Sequence, residues 1–309
     1  MNLHRLGVTS LEVSPLCLGT MSMGSSAWKR WVLDEADSIP LLRRALDLGI
    51  NFFDMADWYS LGRNEEVVGQ NLLKMSSRDN LVLATKVFYP MSDDPKDRGL
   101  SREHIASSID RSLKRIGTDY IDLYYAHQDD PDTPIEETLG AFDSLIKVGK
   151  VRYIAASNFI PERLQESLDI SKELNLASYI ASQDQYNLME REYESTLRDT
   201  LEKNNLSQIP FYGLARGFLT GKYRPGASVE SVRATGVSNA YGNERGWTML
   251  EILDQIAKER KTSIASISLA WLRAQRTVAA PIASATKLEQ IKEIMPIVEL
   301  NKEELALLS

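Results

Sequence analysis

Cysteine is almost absent. Cys17 stands alone in 309 residues, which excludes an internal disulfide and any cysteine-rich metal site. Histidine is nearly as scarce: His4, His104 and His127 are too scattered for the His-x-x-x-His spacing of a zinc pair, so no metal is expected. Nowhere do about 18 apolar residues run together, as a membrane-spanning helix requires. The opening MNLHRLGVTSLEVSPLCLGT lacks a basic-then-apolar signal segment, so a cytoplasmic location is the expectation. Clustered Lys and Arg are missing too. Acids and bases are interspersed and the net charge is −7 with His neutral, which argues against a nucleic-acid partner. Neither a repeat, a linker nor a low-complexity tract interrupts the chain, and the expectation is one domain over residues 1–309.

What is present is alternation. Short apolar runs of strand length occur at 15–19, 50–54, 81–86, 121–127, 151–157, 179–184, 208–213 and 279–284. They are rich in Val, Ile, Leu, Tyr and Ala, as strands covered on both faces are. Amphipathic stretches fit helices at 37–49, 63–74, 101–117, 133–150, 161–174, 193–203 and 287–296, with two more within 247–276. Thr133 is the expected N-cap before Pro134, with Glu136 and Glu137 in the first turn. Eight strands with intervening helices predict an α/β fold, a (β/α)8 TIM barrel. The competing open sheet would advertise a G-x-G-x-x-G turn after strand one, and LGTMSMGSS (18–26) does not have it. The stretch 222–246, rich in Gly, Ser and Arg, reads as a long irregular loop after strand seven, where such loops carry function.

In a parallel barrel the carboxyl ends of all strands share one face. The second strand ends at Asp54 with Tyr59 following, the third at Lys86 and the fourth at His127. Each has an ordinary explanation: an Asp54–Lys86 ion pair that is purely structural, a satisfied core histidine, a capping ring. Together they form a proton-delivery set. A free phenol has a pKa of about 10, and the ammonium of Lys86 is expected to lower that of Tyr59 while Asp54 holds the lysine. His127 would hydrogen-bond a substrate oxygen. Such a set suits proton addition to a developing alkoxide, hence carbonyl reduction.

With NFFDMADWYS, RNEEVVGQNL, LATK, GTDYIDLYYAH, GKVRYIAASNF, SQDQYNLMER, LARGFLTGKY and SLAWLRAQ followed by PIASATKLEQ, the chain resembles the aldo-keto reductase family over nearly its whole length. It is more similar to the bacterial branch than to the compact mammalian aldose-reductase type. The resemblance implies that Asp54, Tyr59, Lys86 and His127 are the catalytic tetrad, with Tyr59 the general acid in reduction. It implies a nicotinamide cofactor, NADPH in preference to NADH, lying across the barrel mouth and supplying the hydride. By position, Ser157, Asn158 and Gln183 look like carboxamide contacts, and Gly19 and Thr20 match the contact after strand one. Leu214, Arg216, Gly217 and Lys222 belong to the segment around the pyrophosphate. Ser284, Thr286, Lys287, Gln290 and Glu293 fall where adenosine and its 2′-phosphate sit.

Two departures stand out. FYGL replaces the usual Tyr-Ser-Pro-Leu, which puts Phe211 in the position that stacks on nicotinamide, with Tyr212 the next candidate. Ser207 and Gln208 are polar where a central strand should be apolar. At the adenosine end the expected cation is Lys287, supplemented by arginines of the 224–245 loop. Trp28, Trp31, Trp58 and Tyr89 sit near strand-end loops and would line a pocket for a small carbonyl compound. Two other functions compete: a nicotinamide-binding redox-sensing or regulatory protein, since the resembled family includes potassium-channel β subunits, and a barrel lyase using Lys86 as a Schiff-base nucleophile.

Overall fold

A computed structural model describes residues 2–230 and 232–309. The chain begins with a short antiparallel hairpin, β1 (His4–Arg5) and β2 (Glu12–Val13). The expected eight strands then follow: β3 (Cys17–Gly19), β4 (Phe52–Asp54), β5 (Val82–Val87), β6 (Ile121–Ala126), β7 (Val151–Ser157), β8 (Tyr179–Gln183), β9 (Ser207–Gln208) and β10 (Ile282–Ala283). All pair in parallel, in the order β10-β3-β4-β5-β6-β7-β8-β9. The two outer strands meet through Gln208 N–H to Thr277 O, Ala279 N–H to Gln208 O and Ile282 N–H to Pro210 O, at 2.7, 2.9 and 2.9 Å. These bonds close the sheet into the barrel.

Helices cover the outside: α1 (Glu35–Asp47), α2 (Arg63–Met75), α3 (Arg102–Ile116), α4 (Ile135–Lys147), α5 (Pro161–Glu173), α6 (Arg198–Lys203), α7 (Ala234–Tyr241), α8 (Glu244–Arg260), α9 (Ile264–Arg273), α10 (Leu288–Ile294) and α11 (Lys302–Leu307). None of the described helices is long and apolar enough to cross a membrane.

Three local expectations need correcting, and one element was missed. Helix α1 starts before residue 37, so Pro40 lies beyond the first turn, where its missing N–H does cost a helical bond. Pro134, not Thr133, is the N-cap of α4, because the Thr133 hydroxyl donates instead to Asp130 at 2.8 Å. The stretch 222–246 is not irregular throughout, since it holds α7 and the start of α8. The first hairpin was not anticipated at all: strands of two residues are too short for a period to show.

The core has two layers. One lies between sheet and helices, with Leu42, Phe53, Val68, Ile109, Tyr124, Phe142 and Trp271 among its buried members. The other fills the bore with Cys17, Phe52, Ala84, Tyr125, Ala155, Ala181, Ile209 and Ile282. From below, Leu6, Leu11 and Val13 of the hairpin join the same cluster and plug the amino-terminal end. Strand β9 consists of Ser207 and Gln208 alone, and both are buried. Ser207 Oγ accepts from the hairpin's Gly7 N–H at 2.7 Å, which gives its polarity a structural use.

Candidate active site

Side chains on a strand alternate between faces with a period of two. The inward bore residues are Cys17, Phe52, Ala84, Tyr125, Ala155, Ala181, Ile209 and Ile282. Two positions further along come Gly19, Asp54, Lys86, His127, Ser157, Gln183, Phe211 and Ser284. The candidate site is therefore the next inward layer at the carboxyl ends, directly above the apolar bore. This layer changes from apolar to polar because it faces the mouth.

Lys86 is fully buried and all three of its donors are used. Nζ donates to Asp54 Oδ2 at 2.7 Å, to the Met55 carbonyl at 2.7 Å and to Tyr59 Oη at 3.2 Å. An ammonium has three N–H bonds, so this one is satisfied although dry. The other oxygen of Asp54 accepts from Gln183 Nε2 at 3.0 Å. Gln183 comes from four strands away, and its orienting contact to Asp54 was not legible in the sequence. Tyr59 sits on a tight turn (Tyr59–Gly62) in which Ser60 and Leu61 both have φ of 51°. That left-handed backbone is costly for residues other than glycine, and here it places the phenol against Lys86. Ser60 Oγ, in turn, accepts from the Ser25 N–H at 3.2 Å, tying the turn to the loop after β3.

The electrostatics correct one expectation. The Tyr59 phenol is not made more acidic in the resting protein. Burial, then the charge of Asp54, pushes it well above its ordinary value, with Tyr212 and Tyr89 adding to the effect. Tyr59 therefore holds its proton firmly. The bond from the Lys86 ammonium to the phenol oxygen, at 3.2 Å, would strengthen if that oxygen became negative. Burial, followed by the charge of Lys86, pushes His127 well below the usual imidazole range, so the ring is neutral. Its Nδ1 is buried with no partner among the described residues. An orphaned N–H costs more than an orphaned lone pair, which favours the proton on Nε2. Asp57, also buried, is pushed well up by burial and then by Glu65.

The expected cofactor residues gather on the same face in three groups. Ser157 Oγ donates to the Gln183 carbonyl at 2.8 Å, and Asn158 Nδ2 donates to the His127 carbonyl at 3.0 Å. Asn158 adopts φ of 57°, which asparagine tolerates better than most residues. Phe211 packs with the bore and meets Tyr212 edge-on at 5.2 Å. Thr20 is fully buried, its hydroxyl donating to the Asp54 carbonyl at 2.7 Å. Gly19 has no room for a side chain: a Cβ there would stand 2.6 Å from Ile282 Cγ2 and 2.7 Å from Ser284 Oγ.

Cations form the second group. The Lys222 ammonium is held below its usual range first by burial and then by the charges of Arg233 and Lys287, and Arg233 is lowered by burial first, with the charge of Arg216 adding to it. Among the described residues, Arg216, Lys222 and Lys287 have no carboxylate within ion-pair distance, while ion pairs are numerous elsewhere. Like charges drawn together in an acidic chain fit a polyanion. Leu214 and Gly217 lie in the turn that carries Arg216. At the third group, Gln290 Oε1 accepts from the Thr286 and Lys287 N–H groups at 2.8 and 3.2 Å and so fixes that turn. Glu293 is exposed, and its carbonyl accepts from Ser266 Oγ at 2.6 Å.

The aromatic residues do converge. Tyr89 meets His127 at 4.8 Å between ring centroids, Trp58 meets Tyr89 at 5.0 Å and Trp28 meets Trp58 at 5.3 Å. Trp31 packs on Trp28 at 6.4 Å. No group of three or more metal-ligating side chains occurs among the described residues.

With this geometry in hand, residues 15–309 match the model of the Aldo/keto reductase family. The chain belongs to that family. It is 36% identical over 264 residues to L-glyceraldehyde 3-phosphate reductase of Escherichia coli, covering 82% of this chain and 76% of the relative. It is 34% identical to versiconal hemiacetal acetate reductase of Aspergillus parasiticus, over 88% and 85% of the two chains. It is also 33% identical to a rice protein named probable voltage-gated potassium channel subunit beta, over 97% and 92%. As an aldo/keto reductase the protein is an NAD(P)H-dependent oxidoreductase acting on small carbonyl compounds. The cation cluster fits the phosphates of a nicotinamide cofactor at this mouth.

Proposed function

We propose that this chain, acting as one domain over residues 1–309, is an NADPH-dependent reductase of aldehydes or ketones with Tyr59 as the general acid. The observation that carries this reading is the convergence of Lys86 Nζ on Asp54, the Met55 carbonyl and the Tyr59 hydroxyl. When bound, NADPH supplies the hydride that reduces the carbonyl carbon. His127, neutral, donates from Nε2 to the carbonyl oxygen and turns it toward Tyr59. Tyr59 gives its proton to that oxygen as negative charge builds, since an alkoxide is more basic than a phenolate. Lys86 then steadies the phenolate, and Asp54, held by Gln183, keeps Lys86 in place.

Ser157, Asn158 and Gln183 would hold the carboxamide, and Phe211 would stack on the nicotinamide ring beside Tyr212. Gly19, Leu214, Arg216, Gly217 and Lys222 would surround the pyrophosphate. Ser284, Thr286, Lys287 and Glu293 would take the adenosine end. Thr20 and Gln290 act at one remove, by fixing the backbone of Asp54 and of Thr286–Lys287. Trp28, Trp58 and Tyr89 form the substrate wall. The cation cluster supports NADPH over NADH, because the 2′-phosphate adds charge for it to neutralise. Fluorescence titration of both cofactors tests this preference, and NADH binding as tightly as NADPH overturns it.

The likeness to the rice channel subunit supports a second reading, a nicotinamide-binding sensor with little turnover. Steady NADPH oxidation on addition of a simple aldehyde separates the two: turnover supports the reductase, and tight binding without turnover supports the sensor. The Schiff-base alternative is disfavoured, since Lys86 Nζ is buried and bonded to Asp54, the Met55 carbonyl and Tyr59, which leaves it no approach to a carbonyl carbon.

A further inference from the structure

The aromatic wall ends on a cation. Lys29 Nζ lies 4.2 Å from the ring centroid of Trp28, 5.2 Å from that of Trp58 and 5.8 Å from that of Trp31. Outward from His127, the wall therefore runs Tyr89, Trp58, Trp28 and then an ammonium. Ion pairs are common in this chain, yet among the described residues no carboxylate reaches Lys29. Acids lie close by in sequence, but Asp34 is taken up by the Ser26 N–H and hydroxyl at 2.8 and 2.7 Å, and Glu35 by Arg63 at 2.7 Å.

An ammonium laid on indole faces gains from the ring quadrupole but leaves its three donors without an acceptor from these rings. A negatively charged group arriving along the wall would meet those donors at the edge of solvent, where the remaining screening is smaller than in water. The wall itself accepts a flat apolar body, because tryptophan and tyrosine present rigid faces at low entropic cost. The reacting carbonyl must lie at Tyr59 and His127, so the two ends of the substrate are placed independently.

We propose that Lys29 is a specificity-determining residue, and that the preferred substrates carry a carbonyl at one end, an aromatic or other flat apolar body, and an anionic group at the far end. This rests on the reductase reading for the position of the carbonyl. Trp31 beside Lys29 also carries the Arg233 guanidinium at 3.7 Å, and Arg233 neighbours Arg216 and Lys222, so the Lys29 end of the wall borders the cation cluster that would serve the cofactor.

The test compares benzaldehyde with 4-carboxybenzaldehyde, and 4-biphenylcarbaldehyde with its 4′-carboxylate, using NADPH and the full chain. The carboxylate is expected to raise kcat/KM by about tenfold at one of the two lengths, mostly through KM, as a charge-assisted bond of roughly 1.4 kcal/mol would. Lys29→Met should abolish that ratio and Lys29→Glu should invert it. A second arm needs no turnover: calorimetric binding of terephthalate against benzoate, and of biphenyl-4,4′-dicarboxylate against biphenyl-4-carboxylate, to the wild type and to Lys29→Met. Tighter binding of a dicarboxylate that depends on Lys29 supports the subsite even if no aldehyde is reduced, in which case only the reductase reading fails. Equal ratios in wild type and Lys29→Met, at both lengths and in both arms, overturn the proposal.

Discussion

The two ends of this barrel are built from opposite materials. At the amino-terminal end the hairpin presses Leu6, Leu11 and Val13 into the bore. Its stray polar groups are paired, Gly7 N–H with Ser207 Oγ at 2.7 Å and the His4 ring with the Ala279 carbonyl at 2.6 Å. At the carboxyl-terminal end the next layer of the same strands carries an ammonium, a carboxylate and an imidazole, joined by the phenol of Tyr59 from the turn after β4, and Lys86 is fully buried. Apolar burial stabilises the first end at roughly 25 cal/mol per Å². Charge burial opposes folding at the second, and is offset only because every Lys86 donor is matched. The barrel thus separates the region that holds it together from the region that can do chemistry.

That separation can be broken most sharply at Tyr59. Tyr59→Phe should lower carbonyl turnover by roughly 10²–10⁴-fold, the usual worth of a general acid, while cofactor titration and thermal midpoint stay near wild type. Near-normal turnover in a folded variant would remove Tyr59 from the acid role. The complementary change is Leu6→Ala at the plugged end, expected to cost about 2–5 kcal/mol in denaturant unfolding with kcat/KM little altered. A large loss of kcat/KM there would show that the two ends are coupled.

A pH profile sharpens the comparison further. His127 is held below the imidazole value of 6.5 and Tyr59 above the phenol value of 10.0. Below 6.5 the imidazole is still neutral, and up to 10.0 the phenol still carries its proton. Neither group should therefore contribute an ionisation to kcat/KM with a midpoint between those values. An ionisation with its midpoint inside that window, removed by Tyr59→Phe or His127→Ala, would contradict the assigned states. The smallest effect is expected at Asp57. Burial favours the protonated form of its carboxyl, so Asp57→Asn, which has the same shape and no charge, should change stability by less than about 1 kcal/mol. A loss of several kcal/mol would mean that the carboxylate is charged in the folded protein.

Strand positions were legible because a strand buried on both faces must be a short apolar run, and each run ended where the polar mouth layer begins. The pairing of Lys86 with Asp54 was legible for the same reason, since Lys86 directly continues LVLAT and Asp54 directly continues INFF. The hairpin plug was not, because two-residue strands carry no period. Nor was the bond from Gln183 to Asp54, which joins residues far apart in sequence, or the strained turn at Ser60 and Leu61, whose residues give no sign of a left-handed backbone. Thr133 misled because its hydroxyl had a second acceptor in Asp130, visible only once the loop is folded.

The sequence alone determined the alternation of strands and helices, the eightfold count and the identity of the ionisable groups at the strand ends, because burial and period are local properties of a chain. Tertiary structure decided what those groups are. Whether Tyr59 keeps its proton, whether His127 is neutral and whether Lys86 is satisfied depend on dielectric and on partners brought in from other strands. Distance through space sets those quantities, and no spacing along the chain encodes it.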